Sequence, residues 1–267
     1  MIDFIEINKL SKLHDGNKIF FSKTDLILDT FKDIENINHD VVLITGNSDH
    51  PIIDDIVNKC PPNVIKWFTQ NNKTNSDKVI PIPIGLMNYE HSSRGEEHGL
   101  GWFEKSQVSF IGEFIELSEK VIPSKLVYAN FTISTNSNHR LPIKNMVDVV
   151  EHIDWVQPDN SLGYVKKFFN PFYEKILEYE CVLCPDGNGI DSHRFYETLY
   201  LNRIPITFNK EYYYKLHHHF PCILITDIEM LRDENYIKSE INRVKNTKWC
   251  RSELTNKFWE NKILESI

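Results

Sequence analysis

His193, Arg194 and Glu197 fall within one turn and a half of a helix if the segment around them is helical, and their types suit a nucleotide diphosphate. A guanidinium presents a fixed, forked set of donors to phosphate oxygens. A carboxylate three residues further on accepts from ribose hydroxyls, and His193, four residues before Glu197, shares the same face. Phe195, Thr198 and Leu199 then take the opposite face and pack inward. Spacing alone, however, favours a plain capped helix carrying a surface Arg–Glu pair.

The flanking residues say which elements would position these groups. Cys181-Val182-Leu183-Cys184 is an apolar run short enough for one buried strand, and Pro185 ends it. Gly187-Asn188-Gly189 supplies a loop free to take positive φ. Asp191 or Ser192 is a good N-cap for a helix through about Leu201, and Ile204–Phe208 reads as a second strand. Strand, glycine loop, helix and strand make a parallel βαβ unit, with the loop at the carboxyl end of the first strand, where open α/β sheets bind ligands. Free N–H groups at the helix start favour an anion there. Asp191 has two compatible roles, cap and donor-loop residue, while Ser192 and His193 are placed to bond phosphate or sugar. Neither of the latter is a hydrolytic nucleophile, because no Gly-x-Ser-x-Gly is present.

Residues 189–206, Gly-Ile-Asp-Ser-His-Arg-Phe-Tyr-Glu-Thr-Leu-Tyr-Leu-Asn-Arg-Ile-Pro-Ile, resemble the C-terminal signature of the exostosin-like glycosyltransferases, which follows a Cys-Pro strand end. Asn202 stands where that pattern has Gly and Ile206 where it has Val; Asn tolerates the left-handed conformation better than most residues. The resemblance implies a GT-B-like α/β fold, two Rossmann-like domains with parallel sheets facing a central cleft. It also implies inverting transfer of a monosaccharide from a nucleotide diphosphate sugar, a UDP-sugar first, to a glycan hydroxyl. Pro185, Gly187, Asp191, Ser192, His193, Arg194 and Glu197 would then line the donor site.

Composition sets the outer bounds. The chain has 267 residues, 41% hydrophobic and 25% charged, normal for a globular protein of one large or two small α/β units. A net charge of −8 argues against nonspecific binding to nucleic acid or an anionic membrane. Five cysteines without regular spacing suggest a reducing compartment. The first ten residues carry Asp3 and Glu6 and lack the basic and apolar regions of a signal peptide. No apolar run approaches bilayer length. A cytoplasmic enzyme is the expectation.

Along the chain, strands are expected at 18–22, 25–28, 41–45, 64–68 and 79–84, with a helix from Pro51 to about Asn58. Met87–Gly101, rich in glycine and charge, reads as a mobile loop over the cleft, and a helix follows near 106–120. Pro123 is the best boundary, dividing an acceptor-side domain, 1–122, from a nucleotide-sugar-binding domain, 123–267. In the second part, 126–133 reads as a strand and Ser134–Arg140 as a polar loop. A helix then starts near Pro142, a short strand covers 154–156, and a helix over 162–179 breaks or restarts near Pro171. A helix near 210–218, a strand at 222–226 and helical segments to 265 complete it. The last helix could cross back onto the first domain through Phe258 and Trp259.

Arg140, closing the loop after the first strand of the second part, could join Arg194 in neutralising a diphosphate; a solvent-facing arginine fits the position equally. Ser134, Thr135, Asn136 and Asn138 could donate to phosphate, though polar loops commonly have this composition. Inverting transfer needs a base near the acceptor hydroxyl. Asp49 is the first choice and His50 the second, just past the clearest strand of the first part, with Glu90, His91 and His98 behind them. The competing reading of Ser48-Asp49 is a helix cap. Cys181 and Cys184 read as core rather than zinc ligands, and His217-His218-His219 as a helix C-terminal cap more than a metal site. No Asp-x-Asp occurs, in keeping with arginines rather than a metal holding the diphosphate, so no metal is strictly required. The rival readings are a polysaccharide pyruvyltransferase-like enzyme and a non-catalytic glycan-binding module on the same fold.

Overall fold

The computed structural model of the protein describes residues 3–87, 107–158, 166–208 and 215–267. The mobile-loop reading of Met87–Gly101, with Glu90, His91 and His98, falls from residue 88 onward outside the described residues.

Two parallel sheets organise the chain. The first has the order β1-β2-β4-β6, from Ile19–Lys23, Val41–Gly46, Val64–Thr69 and Val79–Pro81. The second has the order β11-β10-β9-β7-β8, from Ile223–Ile225, Ile204–Phe208, Tyr179–Leu183, Lys125–Ala129 and Ile153–Trp155. A two-stranded ribbon pairs β3 (Ile52–Ile53) with β5 (Asn72–Lys73). Helices connect the parallel strands, giving an α/β fold. In the first sheet the strands add in chain order. In the second, β7 goes to β8 on one side and the chain then returns to place β9 on the other, so strand order reverses between β7 and β9.

Alternation along the strands builds the core on both faces of each sheet. Val127, Ala129, Cys181, Leu183, Ile206 and Ile223 turn to one face and meet Ile143 and Val147 of α5 (Ser137–Val147) and Ile237 and Ile241 of α8 (Glu234–Asn246). Phe20, Leu43, Val64 and Trp67 turn to one face of the first sheet against Ile27, Phe31 and Ile34 of α2 (Ile27–Glu35). The remaining faces share one continuous cluster. It contains Val42, Ile44 and Phe68 from the first sheet, Tyr128, Tyr179 and Val182 from the second, and residues of α4 (Gln107–Ser118), α6 (Lys166–Leu177) and α7 (His193–Tyr200).

Several expectations are corrected. Residues 25–28 are not a strand: a 3-10 turn over Thr24–Leu26 leads into α2, whose apolar positions 27, 31 and 34 have helical spacing beyond a four-residue window. No helix starts at Pro51, because Ile52 donates its N–H to Asn71 O at 3.1 Å and stays extended; the helix there, α3, is only Asp54–Val57. Ser134–Arg140 is not all loop, since Arg140 lies inside α5, which begins a turn before Pro142. Helix α6 runs without a break through position 171. Neither Gly187 nor Gly189 has positive φ.

The N-terminal segment, with its single-turn helix α1 (Ile7–Leu10), joins the two halves. Phe4 bridges Thr255, Glu6 bridges Gly85, and Asn256 donates its N–H to Asp3 O at 3.3 Å. The last helix, α9 (Asn256–Leu264), thereby lies against residues 3–10, with Trp259 buried in the shared cluster and Phe258 packed at its edge.

Candidate functional site

Helix α7 begins where β9 ends, and the residues between them, Cys184 to Ser192, are held by both halves of the molecule. Asn71, just past β4, accepts the N–H of Ile190 at 3.0 Å and of Asp191 at 3.3 Å through Oδ1. A Cβ on Gly189 would sit 2.6 Å from that oxygen, so glycine is required there by close approach rather than by φ. Pro185 is buried at the strand end, Gly187 is half-buried, and Asn188 is exposed.

Asp191 is not the helix cap. Ser192 occupies the N-cap position without a side-chain cap bond. Asp191, 4% exposed, accepts from Ile84 N–H (3.0 Å), Tyr196 Oη–H (2.7 Å), Ser192 N–H (2.9 Å) and His217 Nε2 (3.0 Å). A buried carboxylate with this many donors is satisfied in place. His217 also stacks on Phe195 with ring centroids 4.1 Å apart. Its Nε2 is thus engaged with Asp191, and the exposed residues of the triplet are His218 and His219. Among the described residues no group of three His, Cys, Asp or Glu side chains could hold a metal. The Cys184 thiol is pushed up to about 12 by burial, with Arg194 pulling the other way, and burial raises Cys181 as well, as core cysteines require.

The two arginines converge on the crevice between the carboxyl ends of β7 and β9. Arg194 Nη1 donates to Asn130 O at 2.5 Å, its guanidinium lies 4.1 Å over the Phe172 ring, and Nε is 3.3 Å from Glu197 Oε2. Arg140 Nη1 donates to Thr132 O at 2.8 Å and its Nε to Asp186 O at 2.6 Å, spanning the crevice. Asn136 Nδ2 closes the same gap on Gly187 O at 2.8 Å. Both guanidiniums thus grip the loop after β7, two residues apart. Arg194 Nη1 is hydrogen-bonded, whereas the buried Nε lies within ion-pair distance of Glu197 without a hydrogen bond.

Other expected residues are placed less simply. Glu197, 6% exposed, faces Arg194 within a helix buried from 195 to 200 on every side, so its first partner is that cation. His193 Nδ1 is 2.8 Å from Gly85 O, tying the helix start to the first half. Asp49 is exposed and accepts from Asn188 Nδ2 at 3.2 Å, which brings it beside the glycine loop. It caps no helix, since α3 starts after Ile53 with no side-chain cap bond. His50 turns away to Asp25, 3.2 Å distant, at the end of β1. Sequence reading missed Asn71 and the roles of Tyr196 and His217. Among the described residues the non-glycine positions with positive φ are Asn47, Asn71 and Asn202, all of the residue type that tolerates that backbone. A hollow of about 420 Å³ lined by Asn17, Lys18, His39 and Asp40 lies at the amino ends of β1 and β2, away from these groups.

The fold and this site define an α/β protein with two parallel sheets and two arginines beside the point where strand order reverses. Among solved structures, the chain is similar to the GtfA/B complex bound to UDP and GlcNAc, at 7% identity and a TM-score of 0.33, covering 97% of this chain and 59% of that one. It is also similar to the wall teichoic acid polymerase TagF soaked with CDPG, at 8% identity and a TM-score of 0.29, covering 96% and 90%. The chain thus spans about three-fifths of the first of these, 59% of its length. No family of known proteins and no curated protein matches the sequence. No helix among the described residues is long and apolar enough to cross a membrane.

Proposed function

We propose that the protein is a glycosyltransferase of the GT-B type that binds the diphosphate of a nucleotide sugar, a UDP-sugar first, in the crevice between β7 and β9. The observation that carries this reading is the placement of Arg140 in the first turn of α5 and Arg194 in the first turn of α7, the helices that follow β7 and β9 where strand order reverses. Ligands of open α/β sheets bind at such reversals. The exostosin-like pattern of residues 189–206 supports the same donor.

Arg194, held flat on Phe172, offers Nη2 to a phosphate oxygen, and its charge, with that of Arg140, stabilises the leaving diphosphate. The uncapped start of α7 adds the N–H groups of His193 and Arg194; those of Ile190, Asp191 and Ser192 are already taken. Ser192 lies beside them. Glu197 orients Arg194 and reaches a ribose hydroxyl only where the ligand lies against the pair. Across the glycine loop, Asp49 takes the proton of an acceptor hydroxyl as that oxygen bonds to the anomeric carbon and the bond to the β-phosphate breaks. Inversion follows from this one displacement. The acceptor is a glycan hydroxyl, and no metal enters the scheme.

Arg194→Ala tests the reading. Calorimetry with UDP is expected to show affinity at least ~10-fold weaker, the loss of one charge-assisted contact, with the fold retained by circular dichroism. Unchanged UDP affinity in this variant removes the donor site from the crevice.

A further inference from the structure

The loop that carries Asp49 and the loop that would carry the donor meet through the buried Asn71 and, at the surface, through the Asn188–Asp49 bond. We propose that Asn71 is a positioning residue whose carboxamide holds the Asp49 loop in register with the Gly187–Asp191 loop, fixing the distance between base and donor. The proposal rests on the donor-site reading above.

Asn71 is 1% exposed and left-handed, with φ of 51°. Its Oδ1 accepts the N–H groups of Ile190 and Asp191, and its Nδ2 donates to Ser48 O at 3.0 Å. The orientation of the amide is fixed by its partners, because a carbonyl can only accept and an N–H can only donate. One planar group therefore ties residue 48 of the first half to residues 190 and 191 of the second. The neighbouring bonds reinforce that register. Gln70 Oε1 accepts Asn47 N–H at 3.0 Å, Asn47 Nδ2 donates to Asn8 Oδ1 at 2.7 Å, and Asn188 Nδ2 reaches Asp49 itself. Gly46 and Gly189 leave room for these amides: a Cβ would lie 2.7 Å from Gln70 Oε1 at the first and 2.6 Å from Asn71 Oδ1 at the second. Carboxamides in this seam offer each loop both a donor and an acceptor, and a displacement of about 1 Å at such a junction costs on the order of 10²-fold in rate.

Asn71→Asp separates the two ties. Aspartate tolerates the left-handed backbone and keeps an acceptor for Ile190 and Asp191, but presents no donor to Ser48 O. The expected result is UDP affinity by calorimetry within about 3-fold of wild type, with release of UDP from a UDP-hexose lowered by about 10²-fold. The UDP-hexose used is whichever of UDP-glucose and UDP-N-acetylglucosamine raises the wild-type melting temperature. Amide hydrogen exchange should accelerate about 10-fold at 46–50 and stay near wild type at 187–192. Asn71→Gly, which keeps the backbone and removes both ties, should loosen both segments and lower both affinity and turnover; it decides the matter if the buried aspartate prevents folding. Unchanged exchange at 46–50 in both variants overturns the proposal, as does a parallel loss of UDP affinity and turnover in a folded Asn71→Asp. If wild type fails to bind UDP, the donor-site reading falls, and the exchange pattern alone then decides whether Asn71 couples the loops.

Discussion

Arg203 shows at the scale of one residue how chemistry that sequence reading passes over supports the site. Helix α7 ends in a Schellman motif: Asn202 is left-handed with φ of 54°, Asn202 N–H bonds Leu199 O, and Arg203 N–H bonds Thr198 O at 3.0 Å. The αL tolerance of Asn202 was legible in the sequence, since asparagine stood where glycine was expected. The role of the next residue was not. Arg203, 6% exposed, points its guanidinium at the carbonyls of Ser118, Val121, Leu177 and Asn202. Ser118 and Leu177 are the last residues of α4 and α6, so the cation sits where two helix dipoles present partial negative charge. Burial lowers its pKa, with Glu180 opposing, and the four carbonyls compensate the desolvation. A cation whose Nη1 and Nη2 bond backbone carbonyls alone leaves no carboxylate partner to find in the sequence. Arg203→Ala is expected to cost about 3 kcal/mol, the usual result of orphaning several buried acceptors, as measured by urea denaturation. Arg203→Lys should recover only part, because an ammonium cannot fan out to four carbonyls. A loss below about 1 kcal/mol in the alanine variant would show that water replaces the guanidinium.

Among elements, the strands and helix of the β9–α7–β10 unit are placed as the sequence led one to expect, and the reason is local. Its strand ends, its turn residues and its apolar spacing all lie within thirty positions, so no distant contact is needed to specify it. Helix α2 was missed because three consecutive apolar residues, Leu26 to Leu28, fit either period out of context. Only Ile34, after Ile27 and Phe31, settles it. The role of the glycine loop was partly misread for a different reason: Gly189 is explained by Asn71, more than a hundred residues away, and no local pattern encodes that approach. The loop offers an internal comparison. Gly189→Ala places a methyl group 2.6 Å from Asn71 Oδ1, whereas Gly187→Ala meets nothing nearer than Arg140 Nη2 at 3.5 Å. Overpacking of this kind typically costs ~1–3 kcal/mol. The first variant should therefore lose stability by that amount, and the second should stay within about 0.5 kcal/mol of wild type. Differential scanning fluorimetry ranks them. Equal melting temperatures would mean that Asn71 yields freely, which would also weaken its claim to position anything.

At the scale of the whole molecule, the sheet before the proposed boundary at 122/123 is built in chain order and the sheet after it reverses. One hydrophobic cluster draws on both. The cluster holding Val42 and Phe68 also holds Tyr128, Tyr179, Tyr196 and Trp259, and the N-terminal residues Phe4 and Ile5 belong to it. Tyr200 is the bolt through this arrangement. Its hydroxyl accepts Ile5 N–H at 3.0 Å and donates to Leu254 O at 2.7 Å, and its ring meets Phe4 edge-on with centroids 4.9 Å apart. Burial raises the pKa of that phenol, so the neutral donor form persists across the working range. One hydroxyl thus joins the chain's beginning to the segment before its last helix. Two halves sharing a core and such a link should unfold together. Calorimetry is expected to show one transition with the van't Hoff and calorimetric enthalpies in agreement. Tyr200→Phe keeps the ring and orphans a buried N–H and a buried C=O, a loss of ~1–3 kcal/mol, which for a chain of this length lowers the midpoint by about 2–10 °C. The single transition should move as a whole. Should the variant instead split it into two, the halves are held together by this link rather than by the shared core, and the loops that meet at Asn71 would owe their register to Tyr200 as well.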